Sequence, residues 1–229
     1  MTLDEIRQRL VDVESALDSG NYRKGMWQGL LRDAETLDVA DRQAVAEAVS
    51  RVSRKLHGRK LYPRAPFGVA IILECVLLAI SVYLLGQTGL VAVLAGAAGL
   101  ALALQPTLKV AVGLLMGVRY EYAFLWYVEP RFKMRYGTYF VLGPSQRIAF
   151  HLAGSIGTPV ALLIGAVQLM PLNAVLGYLC LVLAGGALAM QVGAFIAQWI
   201  GVNRIAGFQL STLTSPATAA LEWRRRHAR

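Results

Sequence analysis

The sequence predicts an all-α polytopic membrane protein with about four transmembrane helices, an interfacial β-hairpin and an N-terminal cytoplasmic helical bundle. Three observations predict it. The 229 residues are 56% hydrophobic with a mean hydropathy of +0.49, too apolar for an ordinary soluble domain of this length. Charge is segregated: residues 1–62 hold ten acids and eleven bases, and residues 63–229 hold four acids and twelve bases. Four stretches are each apolar over the roughly 20 residues that a bilayer crossing takes. The expected division is a cytoplasmic three-helix domain over 1–62 and a transmembrane domain over 63–229.

The head opens "MTLDEIRQRLVDVESALDSG". Thr2 and Glu5 are spaced as a capping box, and Ile6, Leu10, Val13 and Leu17 recur on one helical face. Gly20 stops this helix. A second helix is expected from Asn21, carrying Trp27, Leu30, Leu31, Ala34 and Leu37. A third follows Asp38, with Val45, Val49, Val52 and Leu56 on one face and Gly58 as its stop. No catalytic constellation occurs here, so the head reads as an interaction or packing module. His57 reads as a surface histidine welcome at a helix C-terminus. Met1 leads directly into charged amphipathic sequence, so no signal peptide is expected.

The spans are expected at about 67–85, 89–118, 148–170 and 174–200. Bases cluster before the first span (Arg51 to Arg64), between the second and third (Arg119, Arg131, Lys133, Arg135, Arg147) and after the fourth (Arg204, Arg224, Arg225, Arg226, Arg229). The connections "GQTG" and "PLN" carry no charge. By the positive-inside effect, both termini and the loop 119–147 are cytoplasmic, in a membrane of the bacterial inner-membrane type. The same effect accounts for the pI of 9.9 and leaves no need for nucleic acid as a partner. Cys75 and Cys180 both fall inside spans, which argues against a disulfide framework or a Cys-x-x-Cys metal site. Runs such as "LAGAAGLALA" and "LAGGALA" let helix backbones approach closely. The partners expected are the lipid bilayer and a further membrane protein or a second copy of the chain.

The loop 119–147 is too polar to span and rich in aromatics. Tyr120, Tyr122, Phe124 and Trp126 alternate, as do Tyr136, Thr138, Phe140 and Leu142, so a hairpin turning at "EPRF" is expected. Within the spans, the polar residues that stand out are Glu74, Gln105, Lys109 and His151. A charge at membrane depth is costly and marks a site by default. Glu74 and Lys109 lie roughly 12–13 Å from the cytoplasmic side of their spans by helical rise, so an ion pair between them is expected, with snorkelling of Lys109 towards the interface as the rival reading. His151 reads as a helix-start or interfacial histidine.

The stretch "QPTLKVAVGLLMGVRYEYAF", followed by "YGTY", Arg147 and "HLAG", resembles integral membrane metalloproteases of the site-2 protease type. Those carry a His-x-x-x-His pair on a membrane helix, then an interfacial hairpin, then a span rich in Gly and Pro. The resemblance covers about residues 100–165 and, more loosely, the C-terminal Trp-Arg-Arg-Arg. It implies a protease-like core whose two zinc-binding histidines are replaced by Gln105 and Lys109. Gln is a poor zinc ligand, and a lysine ammonium repels a divalent ion. The expectation is a degenerate scaffold, a pseudoenzyme with no metal, no cofactor and no catalytic residue, acting as a scaffold, regulator or accessory subunit of a membrane complex. The alternatives are a membrane-embedded enzyme using Glu74, Lys109 and His151, and a small transporter or lipid-binding protein.

Overall fold

The computed structural model describes residues 1–59, 61–126, 129–205, 208–210 and 214–227. Three helices come first: α1 (Leu3–Asp18), α2 (Met26–Ala34) and α3 (Val39–Gly58). Thr2 caps α1 with the reciprocal Glu5 bond, and Asp38 accepts from the Asp41 N–H to start α3. The second helix starts at Met26 rather than Asn21. The intervening turn ends at Gly25, whose φ of 103° lies in the left-handed region that a side chain disfavours.

A short strand β1 (Arg64–Pro66) leads into the long helix α4 (Phe67–Leu85), which is followed by α5 (Leu90–Leu115). Then come the hairpin β2 (Tyr120–Trp126) and β3 (Glu129–Met134) and the short helix α6 (Tyr136–Phe140). Helices α7 (Pro144–Leu169) and α8 (Ala174–Trp199) complete the long elements, before a two-residue pair β4 (Arg204–Ile205) and β5 (Phe208–Gln209) and a final helix α9 (Ser215–His227). Helices α4, α5, α7 and α8 are each long and apolar enough to cross a membrane. The fold is therefore mostly helical and polytopic, with a small antiparallel sheet ordered β1-β2-β3.

Helix α5 packs between α4 and α7, and α8 packs on the far side of α7. Glycines set these approaches. A Cβ on Gly96 would meet the Ser81 carbonyl and the Leu85 N–H at 2.8 Å, and one on Gly165 would meet the Ala97 Cβ at 2.8 Å. Small residues thus bring backbones together, as membrane helix pairs favour. Pro106 sits inside α5 without ending it, although it has no N–H for the Leu102 carbonyl. Helix α5 closes at Gly117 (φ 82°), with Val118 N–H bonding back to Gly113 O at 2.8 Å, a Schellman ending.

The head, the sheet, α6 and α9 gather at one end of the bundle. The returning strand of the hairpin is Glu129–Met134, so "EPRF" lies in the strand, and residues 127–128, between the two strands, are outside the described residues. Residues 136–140, expected as the second strand, form α6 instead. The cause is tertiary. A helix brings Tyr136 and Phe140 to one side, where both join the apolar core of the head beside Val45, Val49 and Leu30. The Gly137 N–H donates to Ser50 Oγ at 2.8 Å, and Gly137 lies so close to the Ala46 carbonyl of α3 that any Cβ would collide with it. The head core is therefore completed by a residue from the loop between the second and third long helices.

Polar contacts fix the rest of the docking. His57 is not simply at the surface: its Nδ1 bonds the Tyr122 hydroxyl at 2.7 Å, and its ring meets Phe124 edge-on at 4.6 Å. Arg54 pairs with Glu121 at 2.8 Å, which raises the Arg54 pKa through that hydrogen bond. Lys133 donates to Ser53 at 2.7 Å. Burial raises the Tyr122 hydroxyl above its usual value.

Within the head, Lys55 and Arg51 of α3 both reach Glu14 of α1, at 2.9 and 3.0 Å. Hydrogen bonds from Lys55, and then Arg51, hold the Glu14 carboxyl below the usual carboxylate range. A group whose folded pKa is depressed stabilises the fold above its unfolded value, about 4.3 for Glu, and loses that contribution as pH falls. Between pH 7 and roughly pH 3, the Glu14→Gln variant should therefore lose less thermal stability than the wild type. Parallel melting curves read by circular dichroism check this. Equal losses would show that the α1–α3 pairing does not report on Glu14.

Candidate functional site

The seam between α5 and α7 carries the polar residues singled out above. Gly157 of α7 lies directly on the Gln105 backbone, so a Cβ there would collide with it. The Gln105 side-chain oxygen, Oε1, accepts from the Thr158 hydroxyl at 2.8 Å. One turn on, Lys109 lies against Gly154, with its methylenes 3.1–3.4 Å from where a Cβ would stand. Its ammonium donates to Ser215 Oγ of α9 at 3.0 Å and sits 5.4 Å from the Phe150 ring centre. Glycines at 154 and 157 thus admit the two long side chains where a larger residue would hold the helices apart.

The expected Glu74–Lys109 pair is absent among the described ion pairs. Equal depth is not sufficient for contact: Lys109 is turned towards Gly154 of α7 and Ser215 of α9, while Glu74 stands seven residues from Ser81, on the face of α4 that meets α5. The Glu74 carboxyl is buried, with 7% residual exposure, and its Oε1 has no hydrogen-bond partner.

His151 is 6% exposed. Its Nε2 lies 2.9 Å from the Tyr139 hydroxyl, which is also 3.4 Å from Glu222 Oε1 of α9. The hydroxyl has one proton, so it can donate to only one of them at a time. His151 Nδ1 is buried without a hydrogen-bond partner. His151 is therefore a buried member of a polar cluster rather than an interfacial side chain.

The centre of that cluster is Arg147, which is 4% exposed. Pro144 occupies the first turn of α7, and Gln146 caps the Gly143 N–H at 2.9 Å. The helix therefore begins four residues before the expected span and takes Arg147 with it. One guanidinium nitrogen meets Glu35 at 3.2 Å and Glu222 at 3.4 Å. The Nε donates to the Leu142 carbonyl at 3.1 Å, and the remaining nitrogen donates to the Phe140 carbonyl. The Tyr139 ring lies 5.3 Å from the guanidinium carbon. A single side chain thus joins α2 of the head, the end of α6, α7 and α9.

A cavity of about 210 Å³ opens beside this cluster, lined by Gln28 and Leu31 of the head, Met134 and Tyr136, the Tyr139–His151 pair, and Thr218, Leu221 and Glu222 of α9. It has room for a small molecule or several waters.

Gln105, Lys109 and His151 do share one region, whereas Glu74 does not. The donor set does not fit a catalytic zinc site: Gln105 and Lys109 are engaged with Thr158 and Ser215, and zinc needs imidazole, thiolate or carboxylate ligands. Among the described residues, no group of three or more His, Cys, Asp or Glu comes together. Sequence reasoning missed Glu35, Tyr139 and Glu222 and placed Arg147 in a loop. One signal was available: Glu222 is the only acid after residue 129, and an isolated acid in a basic membrane domain invites a search for its cation.

Removing Arg147 places two buried carboxylates together without the cation between them. Breaking a buried pair costs about 3–5 kcal/mol, whereas removing both charges costs much less. Arg147→Met should therefore lower the melting temperature in detergent sharply, and adding Glu35→Gln and Glu222→Gln should recover part of the loss. Simple additivity would show that the three charges do not act as one unit. By the same measurement, Glu74→Gln and Lys109→Met should be additive, because those residues do not meet.

Comparison with known families, curated proteins and solved structures finds no match for the chain.

Proposed function

We propose that the chain is a non-catalytic membrane protein, a scaffold, regulator or accessory subunit built on a site-2-protease-like core without metal. The observation that supports this most directly is the engagement of Gln105 and Lys109. These are the positions that resemble the two zinc-binding histidines. The Gln105 side chain is spent on Thr158, the Lys109 ammonium on Ser215, and α7 is in backbone contact with Gln105. The head adds a helical surface joined to the rest of the chain through Glu35–Arg147, His57–Tyr122 and Ser53–Lys133, suited to holding a partner at the membrane.

The enzyme alternative with Glu74, Lys109 and His151 acting together has less support, since Glu74 lies on the other seam. The cavity beside Tyr139 and His151 favours a narrower second reading, a small-molecule sensor whose occupancy is felt by the head through Gln28 and Leu31. The transporter reading finds no such observation.

The orientation belongs to the same proposal. The head, the sheet and α9 share one end with the basic clusters, and the uncharged connections lie at the other. The basic end is the cytoplasmic one by the positive-inside effect, in a membrane of the bacterial inner-membrane type.

Purification of the full chain in gentle detergent should yield a defined membrane-protein partner or homo-oligomer at fixed stoichiometry and well below one zinc per chain. Close to one zinc per chain, held through gel filtration, would overturn the proposal. A lone monomer without a partner would overturn the scaffold reading while leaving the metal-free core in place.

Topology has its own test. Cysteines placed singly at Thr88 and Asn173, with Cys75 and Cys180 replaced by serine, should react with an impermeant thiol reagent added outside intact cells. A cysteine at Ser145 should react only after lysis. The opposite pattern would invert the orientation.

A further inference from the structure

A carboxylate at membrane depth needs a counter-charge, and Glu74 makes no hydrogen bond or ion pair through its buried Oε1. A second oxygen in the same condition belongs to α5, the helix packed on α4: Thr107 Oγ1 is buried and has no partner either. A helical threonine can bond the carbonyl one turn back, and Thr107 does not do so.

The register of the seam brings the two together. Gly99 of α5 touches Ser81 of α4, and Gly96 lies on Ser81 and Leu85. Glu74 is two turns from Ser81 along α4, about 10 Å towards the head end. Thr107 is eight residues from Gly99 along α5, about 12 Å towards that same end, because the helices run antiparallel. Their directions agree as well. Seven residues return Glu74 to within about 20° of Ser81, and eleven return Thr107 to within about 20° of Gly96. By this register the two residues stand at one level on the facing sides of α4 and α5, and neither Glu74 Oε1 nor Thr107 Oγ1 has a hydrogen-bond partner.

From this arrangement we infer that Glu74 and Thr107 form a site for a monovalent metal cation within the membrane bundle. The donors are all hard oxygens, which suit alkali and alkaline-earth ions. The charge chooses between those. One carboxylate neutralises one positive charge, whereas a divalent ion would leave an uncompensated charge in a medium where that is expensive. Lys109, the nearest base in the spans, is not available to take the role, because its ammonium is directed to Ser215. Ser81, the next oxygen along the seam, donates to the Leu77 carbonyl at 2.7 Å and stands about 10 Å along α4 from Glu74, out of reach of the same ion.

The test is the melting temperature of the full chain in detergent, with sodium chloride, potassium chloride or choline chloride at one ionic strength. A ligand that binds only the folded state raises stability with its concentration. Sodium or potassium should raise the melting temperature over choline by at least about 2–4 °C. Glu74→Gln should abolish the difference, and Thr107→Val should shift it to higher salt. Glu74→Gln removes an unpaired buried charge and keeps its shape; should it fail to fold, Thr107→Val carries the test alone. No difference between metal cations and choline in the wild type would overturn the site and point to a proton as the counter-charge. An undiminished response in Thr107→Val, or a persistent one in Glu74→Gln, would overturn it equally.

Discussion

A single guanidinium holds the two halves of this molecule together. Arg147 is almost wholly buried, and its donors are distributed over Glu35 of the head, Glu222 of α9 and two carbonyls at the end of α6 and just beyond. Removing this charge from water is costly, and only a full set of well-placed acceptors offsets the cost. Each of those acceptors requires its own helix to be in place. The geometry of the junction follows from this: α6 must end where it does, α7 must start early enough to include Arg147, and α9 must return to the bundle. The cavity beside Tyr139 and His151 is bounded by the same elements and exists because they converge there.

The apolar contacts around Arg147 are local and the polar ones are not. The core of the head closes with residues of α1, α2, α3 and α6, and the bundle has its own core along α4, α5 and α7. Between them lie the hairpin and its partners, held by His57–Tyr122, Lys133–Ser53 and Arg54–Glu121. Hydrophobic burial is non-directional, so Tyr136 and Phe140 join the halves through the head core without fixing their angular relation. The directional bonds set it.

This division also explains what could be read from the sequence. The four long helices, the head helices, the capping box at Thr2 and the first hairpin strand were legible, because each is written in local periodicity or end signals. Residues 136–142 were not. Their alternation is strand-like, and only the docking of Gly137 on α3 and of Phe140 in the head core makes helix the better solution. The relation of Glu74 to Lys109 was also illegible, because depth is readable from helix ends whereas azimuth depends on which neighbours each helix finds. Of the candidate residues, Gln105, Lys109 and His151 proved to be neighbours through glycines that sequence alone could register only as small. Arg147 was hidden by its own basic surroundings, where a positive charge needs no special explanation.

The insertion of Phe140 into the head core has a consequence for biosynthesis. The first 58 residues can form helices as soon as they leave the ribosome, yet their apolar face stays incomplete until two long helices and a hairpin have also been made. Until then, the core around Leu30, Val45 and Val49 lacks its Phe140 side chain. Closure then waits for Glu222, some 75 residues after Arg147, before the buried guanidinium acquires its last acceptor. Completion of the head core is thus tied, in chain order, to residues of the membrane part.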